Sequence, residues 1–257
     1  MAITLNSISR SLGFKAPALT LHGPSGVGKT SLGAGAPNPI FICTEDGLGK
    51  LEVDAFPLMT SFQDVLDALN VLYTSEHHYQ TVVLDSLDHL EPMLWKHLCD
   101  NYVGPKGERY NSVEDFGYGR GFMFALDLWR QLLNALFALR NEKGMAFILI
   151  AHSEIKRFES PMTDSYDRFQ IKLHKRASEL IMESVDCVLF ADYKTVIEKE
   201  EAGFNKIKTR GISTGQRYLY TEARPSFIAK NRYGLPPELP LSWQAFSDAL
   251  TQTTSQK

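Results

Sequence analysis

The sequence is short of cysteine, of net charge and of long apolar runs, and each shortage closes off a class of protein. Three widely spaced cysteines (Cys43, Cys99, Cys187) in 257 residues, with no C-x-x-C pair, cannot build a disulfide framework. No secretory n-region or h-region is visible, so a reducing cytoplasm is the expected location. No apolar run approaches the roughly 20 residues that cross a bilayer, and no membrane partner is expected. Formal net charge is −3, from 27 Lys+Arg against 30 Asp+Glu, which excludes a global basic field for nucleic acid. Residues 153–234 depart mildly from this, with 15 Lys+Arg and 12 Asp+Glu. His89, His97 and Cys99 match no zinc-ligand spacing, and packing or surface use is the simpler reading.

What is present is the composition of an ordinary globule, 44% hydrophobic and 22% charged, with enough chain for one large α/β domain or two small ones. Five short apolar runs read as strands buried on both faces: Ala18–Leu21, Ile40–Cys43, Val82–Leu84, Ala146–Ile150 and Val185–Phe190. Helical periods lie between them. Ser61 with Asp64 forms a capping box ahead of Val65, Leu66, Leu69 and Leu72. A longer helix is expected from Gly121 to Lys143, with Leu126, Trp129, Leu132, Leu133, Leu136 and Leu139 as its buried stripe and Gly144 as its stop. Strands alternating with helices predict a mainly parallel sheet covered on both faces. Shorter segments at Thr195–Ile197, Arg217–Tyr220 and Phe227–Ala229 predict an antiparallel extension at one edge. The expected division is an N-terminal segment 1–15, a core 16–240, and a C-terminal helix 241–257 ending in a disordered tail, "TQTTSQK".

"GPSGVGKT" fits G-x-x-x-x-G-K-[ST], after an apolar strand and before a helix, the context this phosphate-binding motif requires. Gly23, Pro24, Ser25, Gly26, Val27 and Gly28 curl the backbone so that its N–H groups face phosphate oxygens, and Lys29, Thr30 and Ser31 open the helix. Lys29 supplies a point charge to the β- and γ-phosphates, and Thr30 supplies a hydroxyl to Mg²⁺. The following "LGAGAP" predicts a short helix. "TVVLDS" ends in Asp85, a Walker B acid and second Mg²⁺ ligand. "IFICTEDG" ends the second strand in Glu45 and Asp46, at the strand ends that face a ligand crevice. Glu45 is preferred as the base that orients water, because Asp46-Gly47 is itself a turn signal; Asp46 stays the alternative. "AFILIAHS" ends in His152, placed to sense the γ-phosphate, with Ser153 a weaker candidate.

Together these residues resemble the RecA-type ATPase core over roughly residues 16–235. In RecA-like proteins the catalytic glutamate follows the second strand, as Glu45 does; in AAA+ proteins it follows Walker B, where this chain has Ser86. The nearest resemblance is to small phage-encoded, single-domain RecA-like proteins, including Sak-type single-strand annealing recombinases, whose pattern shares the "AKNRYG" element. The resemblance implies ATP and Mg²⁺ as ligands and a homo-oligomer, ring or filament, with nucleotide between subunits. It also implies a single-stranded DNA partner and association with a single-strand-binding protein. Lys230 and Arg232 are similar to the Lys-x-Arg pair with which hexameric helicases and KaiC clock ATPases reach a neighbour's γ-phosphate. Two segments correspond to DNA-binding loops without matching RecA's sequences. Asn101–Gly121 interleaves Tyr102, Tyr110, Phe116 and Tyr118 with Lys106, Arg109 and Arg120; Ser153–Arg176 carries Lys172, Lys175 and Arg176. A nucleotide-switched scaffold with a protein partner, or a DNA motor, remain the alternative functions.

Overall fold

The structure, a computed structural model, describes Thr4, residues 15–202 and residues 206–255; the segment 1–15 otherwise lies outside the described residues. In chain order the elements are β1 (Ala18–Gly23), α1 (Lys29–Ala34), β2 (Pro39–Cys43), β3 (Asp54–Ala55), α2 (Phe62–Thr74), β4 (Thr81–Asp85), α3 (Leu87–Asn101), α4 (Arg120–Lys143), β5 (Ala146–Phe158), β6 (Tyr166–Ile171), α5 (Lys175–Ser184), β7 (Cys187–Ala202), β8 (Lys206–Tyr220), β9 (Lys230–Asn231), β10 (Glu238–Pro240) and α6 (Trp243–Ser255). Neighbouring strands run β10-β8-β7-β1-β5-β4-β2-β3. The pairs from β3 to β7 are parallel, whereas β7–β8, β8–β10, β7–β9 and β5–β6 are antiparallel. This is the expected mainly parallel sheet flanked by helices, with an antiparallel extension at one edge.

The pleat sorts each strand into two cores. Leu19, Leu21, Phe41, Val83, Ile148, Ile150 and Leu189 face α1 and α6. Their neighbours Ala18, Ile40, Ile42, Val82, Leu84, Phe147, Leu149 and Val188 face the layer of α2, α3, α4 and α5. Burial on both sides is why these runs read as continuous aliphatics rather than alternating patterns. Each buried Leu or Ile contributes roughly 1.5–3 kcal/mol, enough to hold a helix as poor as α1 in place. A glycine inside a helix costs about 1 kcal/mol, but a Cβ on Gly33 would lie 2.9 Å from Val83 Cγ1, so its absence lets α1 seat on the sheet.

The Ser61 capping box is formed: the Asp64 N–H donates to Ser61 Oγ at 3.1 Å, and the Ser61 N–H to Asp64 Oδ2 at 2.9 Å. α4 begins at Arg120, stops at Gly144 with φ 70°, and buries Ala125 rather than Leu126 ahead of Trp129. It is also the one helix among the described residues long and apolar enough to cross a membrane, which a scan for uninterrupted apolar runs does not reveal. Here its stripe packs inside the core against α2, α3 and α5. Two expectations are corrected. Phe227–Ala229 is not a strand, since Phe227 makes only isolated bridges to Phe169 and Arg224. The tail is helical through Ser255, because Phe246 and Ala249 anchor α6 in the core beside Leu32.

Candidate functional site

β1 delivers the phosphate-binding loop at the carboxyl end of the sheet. Gly26 and Gly28 take φ 75° and 107°, backbone that L side chains rarely adopt, and Gly28 caps α1. A Cβ on Gly28 would also stand 2.6 Å from Arg217 Nη1. Lys29 is 6% exposed, and its ammonium donates to the Gly23 and Pro24 carbonyls at 3.0 and 2.9 Å. Burial pushes its pKa down from the ordinary value, opposed by the negative charge of Asp85, Asp88 and Glu45.

Asp85 ends β4 beside this loop. The Thr30 hydroxyl donates to its Oδ2 at 2.8 Å. Burial raises the Asp85 carboxyl above its usual range, and the Thr30 hydrogen bond and Lys29 charge oppose that rise. A hydroxyl and a partly desolvated carboxylate are hard oxygen donors, which fit Mg²⁺. Thr44 fastens the end of β2 to the end of β4: its hydroxyl donates to the Ser86 carbonyl at 2.7 Å and accepts from the Ser86 N–H at 2.9 Å. Glu45 follows directly and turns into the cleft, while Asp46 is exposed. The cleft holds about 500 Å³ and is lined by Lys29, Thr30, Glu45, Asp85, His152 and Arg217, among others.

His152 lies where β5 leaves the core. Its backbone N–H donates to Asp88 Oδ1 at 2.9 Å, and its Nδ1 sits 3.0 and 3.2 Å from the two Asp88 oxygens. A carboxylate only accepts, so Nδ1 carries a proton toward Asp88, and Nε2 has no hydrogen-bond partner among the described residues. The Asp88 side chain is 2% exposed. Burial alone would raise its pKa, but the His152 hydrogen bonds and the charges of His152 and His89 hold it well below the usual carboxylate range. His89 flanks the cleft, its Nδ1 2.9 Å from Ser86 Oγ and 3.3 Å from Glu45 Oε2. Ser153 points elsewhere: its hydroxyl meets His22 Nδ1 at 2.8 Å, and His22 Nε2 donates to the Ile228 carbonyl at 2.9 Å. Burial, helped by the Lys29 charge and opposed by the Ile228 bond, lowers the His22 pKa to about 4.

Sequence reading misses Asp88 and Arg217. Asp88 looks like an acid in the first turn of a helix, and its place three residues after the end of β4 is its signal. Arg217 comes from β8, almost two hundred residues after the loop it touches, and its Nη1 donates to the Val27 carbonyl at 3.3 Å.

Lys230 and Arg232 lie at the opposite, amino end of the sheet. β9 pairs with the start of β7, and the Arg232 N–H donates to the Asp186 carbonyl, whose own N–H bonds Ala18 at the start of β1. Five residues of β1 separate that point from Gly23, about 17 Å. The Lys230 ammonium donates to the carbonyls of Met182, Glu183 and Val185 at 2.6, 3.0 and 2.7 Å, closing the C-terminal end of α5. Arg232 bonds the Glu183 carbonyl at 3.1 Å, yet its side chain is 52% exposed.

The two candidate DNA segments differ from expectation. In Asn101–Gly121 the aromatics pack on one another: Tyr110 stacks on Phe116 at 4.0 Å and Tyr102 on Phe124 at 5.2 Å. Arg120 donates twice to the Phe116 carbonyl; Phe116 is buried, Tyr102 and Tyr110 are half-buried, and Tyr118 is fully exposed. Ser153–Arg176 is a hairpin of β5 and β6, not a loop, followed by the start of α5. It exposes Ile155 and Met162 and stacks Arg168 over Phe158 at 3.8 Å.

A glycine-rich cradle with a buried lysine, and beside it the Thr30 hydroxyl of α1 bonded to the Asp85 carboxylate of the next strand but one, define a P-loop nucleotide-binding domain of the ATPase type. A family model described as an AAA domain matches residues 15–233, and the chain belongs to that family. Within it, this chain keeps Ser86 after Asp85 and carries its cleft glutamate after β2. No curated protein sequence matches the chain. Solved structures that are similar include one described as the crystal structure of the RadB recombinase, at 14% identity over 91% of each chain and a TM-score of 0.46. That likeness is too distant to bear on function.

Proposed function

We propose that the protein is a Mg²⁺-dependent, RecA-like ATPase that assembles as a ring or filament with nucleotide between protomers. Its partner in this reading is single-stranded DNA, in phage-type recombination or strand annealing. The observation that carries the catalytic part is the convergence of Lys29, Thr30, Asp85, Glu45 and His152 on one cleft from four separate segments. Thr30 and Asp85 would hold Mg²⁺, which neutralises charge on the phosphates when bound. Lys29 leaves its carbonyl partners for phosphate oxygens, and Glu45 orients and deprotonates the attacking water. His152, fixed by Asp88, offers Nε2 toward the same space. Arg232 supports a shared site in this reading: its guanidinium is half exposed and lies at the far end of the sheet from its own loop, the placement that a group serving a neighbour's nucleotide needs.

The DNA part is supported by the resemblance and by the β5–β6 hairpin, which carries Lys156, Arg157 and Arg168 and joins the cleft through His152. A second reading, a nucleotide-switched scaffold for a protein partner, is favoured by the exposed Ile155 and Met162 on that hairpin. The test is an ATPase assay with and without single-stranded DNA, paired with anisotropy at several salt concentrations. Glu45→Gln retains ATP binding and stalls hydrolysis; if Asp46→Asn does so instead, the base is Asp46. Lys172, Lys175 and Arg176 changed to Ala weaken DNA binding and flatten its salt dependence without altering nucleotide affinity. Salt-insensitive or absent DNA binding favours the scaffold.

A further inference from the structure

We propose that Glu45, His89 and His152 form a binding site for a borderline transition-metal ion, Zn²⁺ first among them, and that filling it shuts off hydrolysis. The three side chains arrive from the turn after β2, the first turn of α3 and the middle of β5. Each presents one donor atom, and the three atoms lie within 4.8 Å of one another. Tetrahedral zinc at about 2.0–2.2 Å from its ligands needs donors roughly 3.4 Å apart. His89 Nδ1 and Glu45 Oε2 are already at 3.3 Å, and His152, whose Nδ1 proton stays directed at Asp88, ligates through Nε2. These side chains, 20–44% exposed, have room to close the rest of the way.

Donor chemistry separates this site from the Mg²⁺ pair. Thr30 and Asp85 offer oxygen alone, the preference of Mg²⁺, whereas two imidazoles and a carboxylate suit Zn²⁺ and its neighbours in the first transition row. The surroundings orient one ligating imidazole: Asp88 holds the His152 Nδ1 proton and so leaves Nε2 to the ion, while His89 Nδ1 gives up its 2.9 Å contact with Ser86 Oγ when it ligates. A simple Asp88–His152 hydrogen bond has no need of a second histidine brought to the same glutamate from another element. Occupancy ties up the Glu45 carboxylate and leaves Lys29, Thr30 and Asp85 untouched, so nucleotide binding survives while turnover stops. The shut-off rests on the reading of Glu45 as the base; the binding does not.

The experiment has two arms on the full chain. Co²⁺ is titrated into wild-type and His89→Ala protein and followed by its visible absorption, with Zn²⁺ as competitor; His89→Gln is a second variant, and circular dichroism checks the fold of both. The expected result is one Co²⁺ per chain, displaced by Zn²⁺, with affinity lowered at least about tenfold in either variant. Absent bands, or affinity equal in wild type and variants, overturn the site and leave a hydrogen-bonded cluster. In the second arm Zn²⁺ is titrated into hydrolysis at fixed Mg·ATP. Inhibition that needs at least about tenfold more Zn²⁺ in His89→Ala, with unchanged binding of a fluorescent nucleotide, supports the shut-off. Metal binding without inhibition overturns the shut-off alone. A chain with no ATPase activity defeats the base assignment and the shut-off with it, and the Co²⁺ titration still decides the site.

Discussion

The two ends of the sheet handle charge in opposite ways. At the carboxyl end, Lys29, Glu45, Asp85, His152 and Arg217 face a shared cleft, and several of their bonds are to groups a ligand can replace. At the amino end the charges satisfy one another. Arg140 pairs with Asp186, the Tyr233 hydroxyl donates to the same carboxylate at 2.7 Å, and Lys230 spends its three protons on three carbonyls. Burial and the Asp186 charge push the Tyr233 pKa far up, so that phenol stays a donor. Residues of similar chemistry are therefore catalytic candidates at one end and structural clamps at the other. Only Arg232, half exposed, breaks the pattern at the amino end.

The comparison breaks most sharply at Lys29. Lys29→Ala should cut hydrolysis by roughly 10²–10³ or more while the melting temperature holds, because the loss is confined to phosphate contacts; wild-type turnover in a steady-state assay would undo the assignment. Next is Arg232→Ala, expected to cost about 10³ in rate if the guanidinium serves a neighbour. Mixing Arg232→Ala with Lys29→Ala chains then restores junctions with both groups intact, so the mixture recovers activity that neither pure sample has. Recovery is measured after subunit exchange is verified, and its absence would leave Arg232 an amino-end surface group. Lys230→Met sharpens the contrast from the other side. It should lose about 1–3 kcal/mol of stability by stranding the α5 carbonyls, read as a lower denaturation midpoint, and should not complement in trans. An unchanged midpoint would free Lys230 to be the second finger expected from the resemblance.

The smallest effect concerns Glu91, buried on α3 and accepting the His174 N–H at 2.9 Å. Burial, opposed by that bond, raises its pKa from 4.5 to about 7. The folded state therefore holds a proton that the unfolded state releases between those values. Stability from this group is full below pH 4.5 and is lost as pH rises through 7. Glu91→Gln should flatten that part of the stability profile, measured by denaturant melts across the window; an unaltered slope would place the carboxylate in the normal range.

Much of this contrast is legible in the sequence, because local pattern and local chemistry coincide at the carboxyl end. The loop from Gly23 to Thr30, the Ser61 cap, the α4 stripe and the strand-end acids each announce themselves within a few residues. What escapes is what only tertiary packing assembles. Asp88 is an unremarked helix residue, and His89 one read as packing or surface, until α3 sets them beside β5. Arg217 meets Val27 only because β8 folds back along β7. The aromatics of 101–121 look ready for bases when read singly, yet their spacing serves a small cluster around Phe116. Lys230 is a cation in the sequence and a helix clamp in the structure.

β5 runs unbroken from Ala146, deep in the sheet, to Phe158 on the hairpin, with His152 at the crossing. In mechanical terms it is a lever with one arm gripped by β1 and β4 and the other, free of the main sheet, projecting about 20 Å beyond the fulcrum. A turn of about 10° at His152 would sweep the hairpin end through roughly 3–4 Å on that geometry. The Asp88 clamp and the cleft beside it sit at the pivot of this lever, where a small rotation becomes a displacement of several ångströms at the hairpin end.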